Sequence, residues 1–291
     1  MEQLKKSYTM NNGLEMPSVG LGTASHQNKD SMVSAIMEAG YCHIDTAFIY
    51  KNEEVVGEAL AECFAKGKLR SEVFVTTKLW HSQYGDVEGA IKESLQKLKL
   101  DYVDLYLIHW PLGYYSEPKA PVHKIWPQME SLVEKGLTKS IGVSNFNNQL
   151  VWDLLTYAKI LPVCNQVELN PQCPQPEVVK FLLAKNIIPV AYTPVARPGA
   201  VENGDALCPP DWPDLRKDEF LQGIAKKYNK SVVQVMLNWG LCRGHCVIPK
   251  AAGLDHQKEN LDIFDFKLTE EECQQIIERC GKGIRLCNKF Q

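Results

Sequence analysis

The 291-residue sequence predicts a (β/α)8 TIM barrel, one α/β domain over residues 1–291, with an N-terminal β-hairpin cap and an extra C-terminal helix. Three observations carry that expectation. Eight short apolar runs rich in Val, Ile, Leu and Tyr alternate with longer helical patterns, as parallel βα units do. Polar residues recur at the ends of those runs, and a barrel would gather such ends on one rim. The nearest approach to a dinucleotide-binding GxGxxG, Gly20-Leu-Gly22-Thr-Ala-Ser25, lacks the third glycine, which disfavours the rival doubly wound open sheet.

Residues 7–18 come first, and Asn12-Gly13 between short runs reads as a hairpin turn that can cap one end of the domain. Strands are expected at 19–22 (VGLG), 41–46 (YCHIDT), 73–78 (VFVTTK) and 103–109 (VDLYLIH), then at 140–144 (SIGVS), 165–169 (NQVEL), 188–193 (IPVAYT) and 246–250 (CVIPK). The intervening helices are expected at 29–39, 52–64, 86–98, 125–135, 147–157, 175–184, one long stretch 217–239, and 255–261. A further amphipathic helix at 269–279 opens with Thr269 and Glu272 in capping-box spacing. Closure into a barrel suits this order, because right-handed crossovers bury both strand faces and leave no open edge.

The 45% apolar fraction supports a sizeable core. With 23% charged residues and a net charge of -3, neither disorder nor a polyanionic partner such as nucleic acid is expected. No apolar leader follows Met1 and no run of about 18 apolar residues occurs, so a soluble, cytoplasmic chain without a membrane partner is expected. Ten scattered cysteines lack the spacing of a disulfide scaffold and are expected as thiols. Cys242, His245 and Cys246 suggest a metal site, but the spacing is not CxxC and no second ligand pair partners it; no metal is expected.

The informative polar residues are Asp45, Lys78, His109, Ser144, Asn145, Gln166, Tyr192, Thr193 and Lys250, each at or near the end of a strand. Singly, each has an ordinary structural reading: a turn former, a solvated cation, a core histidine. Together on one rim, Asp45, Lys78 and His109 with nearby Tyr50 suggest proton-transfer chemistry. A free phenol titrates near ~10 and is a sluggish acid unless its anion is stabilised, which an ammonium beside it would do. A carboxylate would in turn offset the cost of holding that ammonium out of water. A neutral imidazole could then hydrogen-bond and aim a carbonyl oxygen.

These residues and their flanks resemble the aldo-keto reductases, in pattern near the aldose, aldehyde and xylose reductases. The resemblance runs over residues 16–266 and rests on GLGTA, GYCHIDTAFIYKNEEVVG, TTKLW, LDYVDLYLIHWP, IGVSNF, NQVELNP, AYTP and IPK...EN...FDF in that order. It implies a barrel that binds NADPH in extended form and reduces small-molecule aldehydes or ketones, aldoses among them, to alcohols. By motif position, Tyr50 is the expected proton donor, Lys78 and Asp45 its tuning pair, and His109 the group that orients the carbonyl. Ser144, Asn145 and Gln166 match the nicotinamide-carboxamide clamp, and Tyr192 matches the ring that stacks on nicotinamide. Thr23, Thr193, Val195, Lys250, His256, Glu259 and Asn260 fall at the remaining cofactor positions. Ile49, Trp80, His109 and Trp110 fall at substrate positions. A monomer is expected, with a dimer as the alternative.

Departures from the family pattern carry a further expectation. After IPK the family has serine, and six positions beyond the lysine an arginine, both of which hold the 2'-phosphate; here they are Ala251 and His256. Replacing an always-charged fork by imidazole removes a bidentate phosphate contact, so NADH is expected to be used as well. Ala24 replaces a pocket tryptophan of many relatives, the connection 112–124 is short, and 194–216 is the expected cofactor-covering loop. Cys287 falls where some relatives carry a pocket cysteine, although a half-exposed tail thiol is the plainer reading. Two rival functions are a Schiff-base lyase using Lys78 and a non-catalytic cofactor-binding barrel.

Overall fold

The computed structural model describes residues 3–111, 120–205 and 208–287. Two short antiparallel strands, β1 (Ser7–Thr9) and β2 (Glu15–Pro17), form the hairpin, with Gly13 at φ 82° in its turn, a conformation that suits glycine. The parallel strands follow: β3 (Leu21–Gly22), β4 (His43–Asp45), β5 (Phe74–Leu79), β6 (Leu105–Ile108), β7 (Ile141–Ser144), β8 (Cys164–Glu168), β9 (Ile188–Tyr192) and β10 (Cys246–Val247). They pair in sequence order. The ring closes where Val19 bridges Val247 in parallel, with Gly20 N donating to Val247 O at 2.9 Å and Val247 N to Ser18 O at 2.9 Å.

The helices are α1 (Lys29–Ser34), continued by a π turn over Ala35–Ala39, then α2 (Glu53–Ala65), α3 (Val87–Leu98), α4 (Val122–Glu134), α5 (Asn148–Tyr157), α6 (Pro176–Ala184), α7 (Glu219–Tyr228), α8 (Val232–Cys242), α9 (Leu254–Leu261) and α10 (Glu270–Cys280). Side chains fix several of their starts. Asn28, Asp86, Asn147 and Asp218 each accept a backbone N–H of the first turn, and Ser231 with Gln234 forms a capping box. The capping box expected at Thr269 and Glu272 is present.

The long helix expected at 217–239 is instead α7 and α8. Asn229 adopts φ 53°, ending α7, and the Ser231 box starts α8 at once. Continuous apolar periodicity across the break had hidden it. Helix α4 begins three residues before the expected position and carries Pro127 inside it. The connection read at 112–124 lies mostly outside the described residues, and residues 206–207 of the expected covering loop lie outside them too.

Three apolar clusters result, one of them where α7, α8 and α10 meet around Leu221, Met236, Trp239 and Ile276. Between strands and helices, Val56, Leu60, Ile91, Leu95, Ile125, Trp126 and their neighbours form the larger core. Inside the ring, Phe74, Leu105, Leu107, Cys164, Ile188, Val190 and Cys246 fill the lower barrel, and Met10 and Met16 of the hairpin plug it from below. Burial of each such side chain contributes about 1.5–3 kcal/mol. With the lower barrel filled, polar side chains collect at the opposite end. Among the described residues, no helix is long and apolar enough to cross a membrane.

Candidate active site

At the C-terminal rim, alternation along the strands points Asp45 of β4, Lys78 of β5 and Gln166 of β8 inward. Lys78 is fully buried, and its Nζ donates to Asp45 Oδ1 at 2.6 Å and to the Thr46 carbonyl at 2.8 Å. The third donor direction meets the Tyr50 hydroxyl at 3.4 Å. Asp45 is 1% exposed, and its other oxygen accepts from Gln166 Nε2 at 2.7 Å. A buried ion pair is tolerable when its remaining hydrogen-bonding capacity is met, and here both oxygens and the ammonium are partnered. Thr23 supports the same strand end, donating its hydroxyl to Asp45 O at 2.9 Å.

Tyr50 reaches this pair from the 3-10 turn Phe48–Tyr50 that follows β4, with Lys51 at φ 54° ending the turn. Burial raises its pKa, and the Lys78 cation opposes that rise. For Lys78, burial works against the charge, but Asp45 and then Tyr50 outweigh it and hold the ammonium above its ordinary value. His109 stands edge-on to Tyr50, with ring centroids 5.7 Å apart, and edge-on to Trp80 at 5.1 Å. Burial first, then Lys78 and His81, push its pKa well below the ordinary histidine value. Both effects favour the neutral imidazole, and its Nδ1 is buried without a hydrogen-bond partner among the described residues.

The expected clamp residues lie beside this group. Asn145 takes φ 64° at the end of β7, a left-handed conformation that asparagine tolerates better than most residues. Its side chain donates to the His109 carbonyl at 2.9 Å and to Ser144 Oγ at 3.1 Å, and it accepts from the Tyr192 hydroxyl at 2.7 Å. Ser144 Oγ donates to Gln166 O at 2.7 Å. Thr193 also has positive φ, 47°, which is strained for a β-branched residue, and its buried hydroxyl finds no partner among the described residues. Ile49, Trp80, Trp110 and Val195 are half-buried.

The remaining expected cofactor residues gather around α9. Lys250 is exposed just after β10, and His256 is exposed with its Nδ1 3.1 Å from Glu259 Oε2. Asn260 is buried. Ser31 Oγ donates to Ala252 O at 2.6 Å and Gln257 Nε2 to Ala251 O at 3.2 Å, which pins the loop that leads into α9. Among the described residues no side chain caps α9 at Gly253, which leaves N–H groups of its first turn without a side-chain acceptor three residues after Lys250.

A dinucleotide fits these residues at both ends. The orphaned Thr193 hydroxyl and the hydrogen-bonding capacity left on the side-chain amides of Asn145 and Gln166 suit a polar ring substituent, while Lys250 and the uncapped start of α9 suit a phosphate. Among the described residues, no group of three or more His, Cys, Asp or Glu side chains is arranged to hold a metal ion. Sequence reasoning passed over Glu168 and Arg197. Glu168 lies inside the NQVELNP motif, where a charged residue ending a buried strand was the available signal. Cys287 is half-buried, and burial pushes its thiol up to about 11.

The model of the aldo/keto reductase family matches residues 10–279. Among curated proteins, an aldo-keto reductase family 1 member A1-A from Danio rerio is 41% identical over 95% of this chain and 90% of its own length. An NADP-dependent D-sorbitol-6-phosphate dehydrogenase from Malus domestica is 40% identical, with 92% of each chain covered. Among solved structures, a Bombyx mori aldo-keto reductase in complex with NADP superposes with TM-score 0.89 at 37% identity, covering 99% of this chain and 96% of that one. The barrel, the order of its motifs and these likenesses agree: the chain belongs to the aldo/keto reductase family.

Proposed function

We propose that this protein reduces an aldehyde or ketone to the alcohol with NADPH, and that Tyr50 supplies the proton. The observation that carries the reading is Lys78 Nζ, 2.6 Å from Asp45 and 3.4 Å from the Tyr50 hydroxyl. When bound, NADPH supplies the hydride. The chain's own residues manage the proton and the geometry. As negative charge develops on the substrate oxygen, Tyr50 releases its proton toward it, and the ammonium of Lys78 stabilises the tyrosinate left behind. Asp45 keeps that ammonium charged in its buried position, and Gln166 keeps Asp45 in place. Neutral His109 donates a ring N–H to the carbonyl oxygen and aims it at Tyr50.

Thr23, Ser144, Asn145, Gln166, Tyr192, Thr193, Val195, Lys250, His256, Glu259 and Asn260 are proposed to hold the cofactor. Ile49, Trp80 and Trp110 are proposed to line the substrate pocket as half-buried apolar walls. The Schiff-base alternative needs a lysine with a lowered pKa, and Lys78 is held the other way by Asp45 and Tyr50. Oxidation of NADPH with a panel of aldehydes, ketones and aldoses tests the reading, alongside borohydride trapping of a substrate adduct. Turnover without a trapped adduct is expected; a covalent adduct at Lys78 would favour the lyase.

A further inference from the structure

Glu168 closes β8, paired in register with Tyr192 of β9, and is fully buried. An ionised carboxylate in such a place needs partners, and its partners come from the far end of the chain. Oε2 accepts the backbone N–H of Cys287 at 2.9 Å, and Oε1 accepts that of Leu286 at 3.2 Å. Leu286 itself is buried. The tail is held from a second side by Arg197, whose Nη1 lies 3.8 Å from Cys287 Sγ while its Nε donates to Asp205 at 2.8 Å. Three separate segments, the end of β8, the loop after β9 and the C-terminal tail, thus meet at one clasp. That clasp is near the chemistry, because Glu168 stands two residues beyond Gln166, which meets Asp45, and opposite Tyr192, whose hydroxyl donates to Asn145 at 2.7 Å.

We propose that Glu168 is a positioning residue for substrate: its carboxylate holds the backbone at 286–287 against the rim, making this stretch a fixed wall of the carbonyl pocket beside Tyr50. The proposal rests on the reductase reading. Backbone amides are held whatever the tail's side chains, so the clasp sets where the wall stands and the side chains set its shape. Burial raises the pKa of Glu168, while the two tail N–H groups favour its charged form, as they should if they are its chief compensation. A substrate that extends past its carbonyl would meet this wall; a small aldehyde held only at Tyr50 and His109 would not.

The test compares wild type, Glu168→Gln, a chain truncated after Gly283, and the two changes combined. Glutamine keeps the size but replaces one acceptor by a donor that faces an N–H. Amide hydrogen exchange at Leu286 and Cys287 is expected to speed up by about tenfold or more in Glu168→Gln. The KM of a bulky aromatic aldehyde is expected to rise roughly fivefold while the KM and kcat of propanal stay within about twofold. Truncation should reproduce that split, and the combination should add nothing to it, since truncation already removes both N–H groups that Glu168 holds. Unchanged exchange, an equal KM rise for both aldehydes, or additive effects would overturn the proposal. If Glu168→Gln does not fold, the truncated chain with Glu168 intact carries the same split, and its absence overturns the proposal. Exchange is read without turnover, so a wild type that reduces no aldehyde refutes the reductase reading while the exchange result still decides the clasp.

Discussion

Gln166 on β8 donates a 2.7 Å hydrogen bond to Asp45 Oδ2 on β4, across the inside of the barrel. Because Lys78 occupies the other oxygen at 2.6 Å, Asp45 is committed on both sides, and the cofactor side of the rim is tied to the proton-transfer side through one carboxylate. Any change to one partner is felt by the other.

Replacing Lys78 by methionine tests that coupling. It leaves a buried carboxylate with one side-chain partner, and breaking a buried pair costs about 3–5 kcal/mol. Urea unfolding should show a loss of that order for Lys78→Met and a much smaller loss when Asp45→Asn is added. Equal losses for the single and double variants would contradict the coupling. In the same variant, aldehyde reduction should fall by about 10²–10⁴, because Tyr50 loses the cation that stabilises its anion.

His43, His109 and His245 are buried, and burial is the leading reason their pKa values are lowered. The sign follows. Below about 6.5 the unfolded rings take up protons while the folded rings stay neutral, so their stabilising contribution, complete above that pH, is lost as pH falls toward the folded values. Glu53 and Glu168, raised by burial, act in the opposite sense, so one ring should be isolated by difference. Relative to wild type, His245→Asn should remove up to about 1.4 kcal/mol per pH unit of stability loss between roughly pH 6.5 and 5.5. Ring NMR of wild type at pH 5.5 should show His109 still neutral. A protonated His109 there would contradict its role as a neutral hydrogen-bond donor.

At the other end of the proposed cofactor site, His256 is exposed and leans on Glu259 at 3.1 Å, while Lys250 is an exposed cation. With Ala251 adding no hydroxyl, the expected preference of kcat/KM for NADPH over NADH is well below a thousandfold, the ratio that about 4 kcal/mol would give. His256→Arg should raise the preference by about tenfold, through a planar fork that reaches phosphate. An unchanged ratio would show that this position does not touch the 2'-phosphate.

Much of this arrangement was legible in the sequence, because apolar runs ending in Asp45, Lys78, His109 and Ser144 mark both the strands and the rim where they end. The break between α7 and α8 was not, since it depends on the backbone of Asn229 and a local cap rather than on periodicity. Contacts across the ring were also hidden. Gln166 meets Asp45 and Tyr192 meets Asn145 only after closure, and Glu168 meets Leu286 across 118 positions of sequence. The first subset follows from local pattern; the second follows from topology.

The most direct measurement is NADPH oxidation by Tyr50→Phe against wild type with the same aldehyde. The phenylalanine keeps the ring against His109 and removes only the hydroxyl that lies 3.4 Å from Lys78 Nζ. A fall in kcat of about 10²–10⁴ with cofactor affinity retained is the predicted result. Full activity in the variant would contradict Tyr50 as the proton donor.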